Sequence, residues 1–364
     1  MTIIIMHQTI ANHDAIGTDI EIMYHILKQS YKCYCFAQNP LNKNIEYIEN
    51  EEKLVQWLDD SENLVIYHHS VYWEYGEKVL NNTNARIIFR YHNITPEQFF
   101  KPYNDFHYQQ CYLGREQTNR LIEKFPEAFW LSDSEYNLQD LKQADQEKLG
   151  VCPPFNKIEE WSKCVLDEKI VKDLIESKYM NLLFVGRVAP NKGHLMLIDI
   201  LYWYCSNFDN NIVLNIIGKF DEGLFGYNHE IKDKIQKYGL EDNIKFIGEI
   251  NDSILMSYYM GCDAFICASE HEGFCVPVVE AQYFMLPVLA LDSSALRETM
   301  GEEQLVFRGS PKQFASAVKI LKDNRNIRDY LKAIGKKNFE NRFSYNRIRN
   351  QFENILKERM GIEL

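Results

Sequence analysis

The sequence lacks the marks of several large protein classes. It has no basic excess: 52 Asp and Glu outnumber 40 Lys and Arg, for a net charge of -12. General nucleic-acid binding needs phosphate neutralisation, so no nucleic-acid partner is expected. No apolar run reaches the roughly 20 residues of a membrane helix. The opening MTIIIMHQTI has no basic n-region and reads as a first strand, not a secretory leader. The expectation is a cytoplasmic protein, with peripheral contact at the inner membrane face left open. Nine cysteines, an odd number without a C-x-x-C pair, read as buried thiols in a reducing compartment. No zinc-ligand spacing occurs. G-x-G-x-x-G and G-x-x-x-x-G-K-[ST] are both missing, which removes the main markers of dinucleotide redox enzymes and P-loop NTPases. No Asp-x-Asp pair is present to hold a divalent ion on a donor diphosphate.

The chain is instead rich in short apolar runs that alternate with helical patterns, over 364 residues. Runs at Ile3–Met6, Lys32–Ala37, Leu64–Tyr67, Arg86–Arg90 and Ala128–Leu131 read as strands. The series resumes at Leu182–Gly186, Ile212–Ile217, Ile244–Ile247, Ala264–Cys267, Pro287–Leu291 and Gln304–Phe307. Helix-like stretches between them imply βαβ units and parallel sheets. Pro153-Pro154 and the charged stretch 157–178 interrupt the alternation. The expected domains are residues 1–156 and 157–342. Residues 343–364 then carry a terminal helix with apolar positions at Ile348, Phe352, Ile355 and Leu356. Such a helix, placed after the second sheet is complete, is expected to return to the first domain. The helix His194–Cys205 is apolar nearly all round and is expected to be buried.

The densest chemistry lies in SEHEGFCVPVVEAQYFMLPVLAL, residues 269–291. A strand ends near Ser269, Gly273 turns, and Pro277 stands where a helix begins. Strand C-terminal ends and helix N-termini are the places where parallel α/β sheets bind anions. Glu272 in the loop and Glu280 one turn into the helix can each accept hydroxyl hydrogen bonds from different parts of a long ligand. By themselves they read equally as a solvent-facing and a dipole-complementing glutamate. FVGRVAPNKGH, residues 184–194, puts Arg187 and Lys192 after another strand. A guanidinium fork and an ammonium can neutralise a diphosphate without a metal, although each alone also reads as a surface charge. In the first half, Thr18 and Glu21 suggest a capping box and a helix from about Asp19. Gly17 would then stand just before the helix, where a phosphate can approach the backbone. His92 ends a strand, and His7, His68 and His69 crowd the same rim. Arg115, Arg120 and Lys124 on one helix suit either solvent or an anionic membrane.

Residues 182–300 resemble the second domain of the retaining glycosyltransferases of family 4. The resemblance rests on Gly186-Arg187, Asn191-Lys192-Gly193, Phe246-Ile247-Gly248, Glu272-Gly273-Phe274, Glu280-Ala281, Pro287-Val288 and Leu296-Arg297-Glu298. Gly17, His92 and Ser134-Glu135-Tyr136-Asn137 extend it loosely into the first half. It implies a GT-B fold: two doubly wound Rossmann-like parallel-sheet domains facing a cleft, the first for the acceptor and the second for the donor. It also implies roles. Arg187 and Lys192 would bind the donor diphosphate, and Glu280 the ribose. Glu272 would lie by the transferred sugar, with backbone amides of Gly273, Phe274, Cys275 and Val276 beside it. Gly17 would meet the phosphates and His92 the sugar ring. The implied reaction moves a hexose from a UDP- or GDP-sugar to a glycan or lipid-linked acceptor with retention. It needs no metal or other cofactor, and family members commonly build bacterial surface polysaccharides. A nucleotide-sugar 2-epimerase and a non-catalytic GT-B subunit are the alternatives. The chain departs from the family at Cys275, often Gly, and at Gln282-Tyr283-Phe284-Met285, usually small residues.

Overall fold

The computed structural model describes residues 1–12, 14–162 and 164–364. It divides into two compact units. The first comprises residues 1–97, 106–157 and 345–364; the second comprises residues 98–105 and 158–344.

The first unit holds strands β1 (Thr2–Ile10), β2 (Lys32–Pro40), β3 (Leu64–His69), β4 (Arg86–Tyr91), β5 (Phe129–Ser132) and β6 (Leu149–Val151). They form one sheet in the order β2-β1-β3-β4-β5-β6, with every pairing parallel. Both faces are covered, which is why the strands read as continuous apolar runs. Ile3 and Ile5 join one core with Met23, Phe129 and Leu131; Ile4 and Met6 join the other with Val65, Phe89 and Trp130. Three-residue β6, half-buried along its length, has no apolar run to announce it.

The second unit holds β7 (Met180–Val185), β8 (Ile212–Ile217), β9 (Ile244–Gly248), β10 (Ala264–Cys267), β11 (Val288–Leu291) and β12 (Leu305–Phe307). Their order is β12-β11-β10-β7-β8-β9, again all parallel. The loops leaving β7 and β10 therefore emerge side by side.

The last helix, Tyr345–Met360, packs in the first unit. Ile348, Phe352 and Leu356 are wholly buried with Ile3, Tyr24, Cys152 and Phe155. Residues 98–105 depart from the expected division at 156. Tyr103 donates its hydroxyl to Glu230 at 2.8 Å, and Asn104 Nδ2 donates to the Gly223 carbonyl at 2.6 Å, so the segment groups with the second unit. Helix His194–Asn207 is buried along Leu197, Ile198, Leu201 and Tyr204, while Tyr202 and Trp203 face outward; it is one-sided rather than enclosed. Among the described residues, no helix is long and apolar enough to cross a membrane.

Candidate functional site

In the second unit, the two adjacent loops are stitched together. Gly193 has φ +70°, and a Cβ there would stand 1.9 Å from the Ala268 carbonyl oxygen, so only glycine lets the β7 loop lie against the end of β10. Asn191 completes the join: its carbonyl accepts from the Glu270 N–H at 2.8 Å, and its Nδ2 donates to the His271 carbonyl at 3.2 Å. Lys192 Nζ then donates to both carboxylate oxygens of Glu272, each at 2.8 Å. The side chains are 24% and 9% exposed. Burial pulls the Lys192 ammonium down, but the Glu272 carboxylate outweighs it and holds the group above the usual lysine range. Glu272 is fixed from a third loop, where Ser294 Oγ accepts its N–H at 2.8 Å.

Arg187 behaves differently. Its side chain is 55% exposed and meets Asp221 at 3.4 Å. It is the more available of the two cations for a ligand. Glu280 lies in the helix Val276–Tyr283 and is buried; the Tyr259 hydroxyl donates to its Oε2 at 2.7 Å. Burial first, and then the neighbouring Glu280 charge, keep that phenol protonated well above its ordinary range. Cys275 caps the helix at φ +80°, a left-handed conformation that favours the glycine more common at this position. Its hydrogen bond with Cys267, and then burial, push its thiol well above the ordinary range. The side chain of Phe274 packs edge-on against Phe343 in the core, and its carbonyl accepts the Thr299 hydroxyl at 2.5 Å. Gly273 and Val276 complete the loop and the first helical position.

The first unit corrects two expectations. The helix over Ala15–Leu27 begins four residues before Asp19, because Asp14 is its cap and accepts the Gly17 N–H at 3.1 Å. Gly17 is thus inside the first turn, not before it. A Cβ at that position would lie 1.9 Å from the Ala11 carbonyl oxygen, which gives the glycine a packing reason. Glu21 accepts from Asn42 and Asn44 instead of closing a capping box. His92 is engaged on both ring nitrogens: Nδ1 with Asp133 at 2.9 Å and Nε2 with His68 Nδ1 at 2.8 Å. Its side chain is 4% exposed, so hydrogen bonding to a sugar requires exchange of a protein partner. With Nδ1–H donating to Asp133, Nε2 of a neutral His92 accepts from His68 Nδ1–H.

Arg90 lies beneath this pair, wholly buried, donating Nε to Asp19 at 3.0 Å and standing 2.8 Å from Asp133. Burial first, and then the neighbouring His92 ring, hold His68 well below the usual imidazole range. His7 Nδ1 meets the His68 carbonyl at 2.9 Å, and His69 Nε2 meets Thr118 at 2.9 Å. The histidine rim read from the sequence is therefore a buried polar network. Its other members, Asp19, Arg90 and Asp133, come from separate elements that no spacing links. The cationic helix face is also paired internally: Arg120 to Glu77 at 3.0 Å, Arg115 to Asp140 at 3.5 Å, and Lys124 to Asn81.

Among the described residues, two groups have ligand atoms close enough to hold an ion: Asp19, His68 and His92, and Cys267, Glu272 and Cys275. In the first, the His68 and His92 ligand nitrogens are hydrogen-bonded to each other at 2.8 Å, closer than two ligands of one tetrahedral ion stand, and the buried Arg90 guanidinium lies on Asp19.

Residues 167–338 match the family model described as Glycosyl transferases group 1. Among curated relatives, the chain is 26% identical over 190 residues to an alpha-1,3/1,6-mannosyltransferase of Dictyostelium discoideum. That match covers 48% of this chain and 45% of the relative. It is 30% identical over 156 residues to a lipopolysaccharide core biosynthesis mannosyltransferase of Rhizobium meliloti, covering 42% and 40%. The chain thus spans less than half the length of these relatives. Among solved structures, Anabaena HepE in complex with UDP and glucose superposes with a TM-score of 0.74 at 17% identity, covering 98% of this chain and 99% of that one. WaaG, a glycosyltransferase involved in lipopolysaccharide biosynthesis, gives 0.70 at 14% identity, covering 98% and 99%. Two six-stranded parallel sheets, the Gly186–Glu280 constellation and these likenesses agree: the chain has the GT-B fold, and its residues 167–338 match the glycosyl transferases group 1.

Proposed function

We propose that the protein is a hexosyltransferase that moves a sugar from a nucleoside-diphosphate donor to a glycan or lipid-linked acceptor in polysaccharide assembly, with retention and without a metal cofactor. The observation that carries this reading is the Lys192–Glu272 couple beside exposed Arg187 at the C-terminal ends of neighbouring strands. A diphosphate attracts both cations. Its leaving-group charge grows in the transition state, where fixed positive groups stabilise it most. Glu272 then turns its carboxylate to hydroxyls of the transferred sugar. Glu280, oriented by Tyr259, accepts the ribose hydroxyls. Several matched relatives are named mannosyltransferases, and a solved neighbour holds UDP-glucose, so GDP-mannose and UDP-glucose lead the donor panel.

The test is a thermal-shift screen of UDP- and GDP-sugars on the full chain, followed by product analysis with a glycan or lipid-linked acceptor in the presence of EDTA. The expected outcome is one stabilising donor and a product of unchanged anomeric configuration. Arg187→Ala should lower turnover at least tenfold with little change in stability. Undiminished turnover in both Arg187→Ala and Lys192→Ala refutes the scheme.

A further inference from the structure

We infer that Cys267, Glu272 and Cys275 form a binding site for a soft divalent metal ion, zinc or cadmium, whose occupation inhibits the enzyme. The two sulfurs and a Glu272 oxygen all lie within 4.8 Å of one another. Metal–sulfur bonds of about 2.3 Å and metal–oxygen bonds of about 2.0–2.2 Å place tetrahedral ligand atoms roughly 3.5–4 Å apart, so closure asks for shifts of about 1 Å or less. Each ligand is held by a different element. Cys267 ends β10 and is buried. Glu272 is anchored by Ser294. Cys275 is the helix cap, aimed by its left-handed backbone. Two thiolates with one carboxylate select a thiophilic ion over magnesium or calcium. Three protein ligands leave a fourth position open.

The charges balance. Taken from the Glu272–Lys192 ion pair and two neutral thiols, the starting site has no net charge. Binding forms two metal–sulfur bonds and releases two protons, so the divalent ion adds no net charge. Lys192 can remain beside the anionic centre as its counter-ion. The ion takes the carboxylate that the proposed reaction gives to the sugar. Metal and donor therefore exclude one another; that consequence, unlike the binding itself, rests on the functional proposal.

The experiment titrates the reduced full-length chain with cadmium and follows the ultraviolet thiolate-to-cadmium charge-transfer band. The band should saturate at one ion per chain, reverse with excess zinc, and weaken strongly in both Cys267→Ser and Cys275→Ser. It should persist in Cys164→Ser, which removes an exposed thiol. Glu272→Gln keeps both sulfurs and should lower cadmium affinity at least tenfold, an arm that stands even where a cysteine variant fails to fold. No band in the unmodified chain, or a band lost only in Cys164→Ser, overturns the site. Saturating donor should erase the band. A band that survives alongside bound donor overturns the inhibition, and absent donor binding with an intact band would count against the functional proposal alone.

Discussion

Replacing Glu272 by Gln separates two demands on Lys192. The ammonium donates to both carboxylate oxygens at 2.8 Å, in a pair 24% and 9% exposed. Gln keeps the shape and removes the charge. Breaking a buried pair costs about 3–5 kcal/mol. Here Lys192 retains part of its hydration and Gln still accepts one hydrogen bond, so the loss should be about 2 kcal/mol. In a unit of this size, about 2–4 °C accompanies each kcal/mol, giving a fall in Tm of about 4–8 °C. The same change frees the ammonium for phosphate. A charge-assisted hydrogen bond contributes about 1.5–3 kcal/mol, and recovering about 1 kcal/mol of that would tighten free nucleoside diphosphate about fivefold. Turnover with the intact sugar donor should collapse, because the sugar loses its carboxylate. Differential scanning fluorimetry and isothermal titration calorimetry read the two effects. A variant as stable as the parent that binds diphosphate more weakly refutes the coupling.

Phe352→Ala should cost about 3–5 kcal/mol in denaturant unfolding, since the ring is wholly buried among Ile3, Tyr24 and Phe155. A loss below about 1 kcal/mol would mean the last helix is not part of that core. At the left-handed cap, Cys275→Gly should be more stable than Cys275→Ala by about 1 kcal/mol, because alanine meets the positive-φ penalty that glycine escapes; equal midpoints would remove the strain argument. Burial lowers His7 to about 4, and His69 and His194 to about 3, against 6.5 when unfolded. The unfolded chain therefore binds more protons below pH 6.5. Stability from these groups is full above that pH and lost on acidification toward 3–4, by about 1.4 kcal/mol per pH unit for each histidine. Denaturant midpoints at pH 7 and pH 5 should fall in that order, and His69→Asn should flatten the slope; a rise on acidification contradicts the assignment.

The sheets were legible because parallel strands buried on both faces leave unbroken apolar runs such as Ile3–Met6 and Leu64–Tyr67. The same criterion is blind to β6 and to the helix Glu168–Ile175, whose residues are not fully buried; the latter looked like a charged linker. The start of the first helix was misread because two capping residues, Asp14 and Thr18, stand four apart, and sequence gives no reason to prefer the earlier. Proximity of Lys192 and Glu272 to a ligand could be argued from their strand ends. Their direct pairing, across eighty positions of chain, could not. Nor could the Asp19–Arg90–Asp133 network under His92, which exists only once β3, β4 and β5 lie in register and the helix carrying Asp19 packs on them.

The position of the helix Tyr345–Met360 has a consequence for biosynthesis. The core it completes includes β1, the first of the twelve described strands, yet Ile348, Phe352 and Leu356 leave the ribosome after every strand of both sheets. The second unit can close while translation continues. The first must hold an uncovered apolar face until the chain returns, a window in which a holding chaperone would find its binding surface.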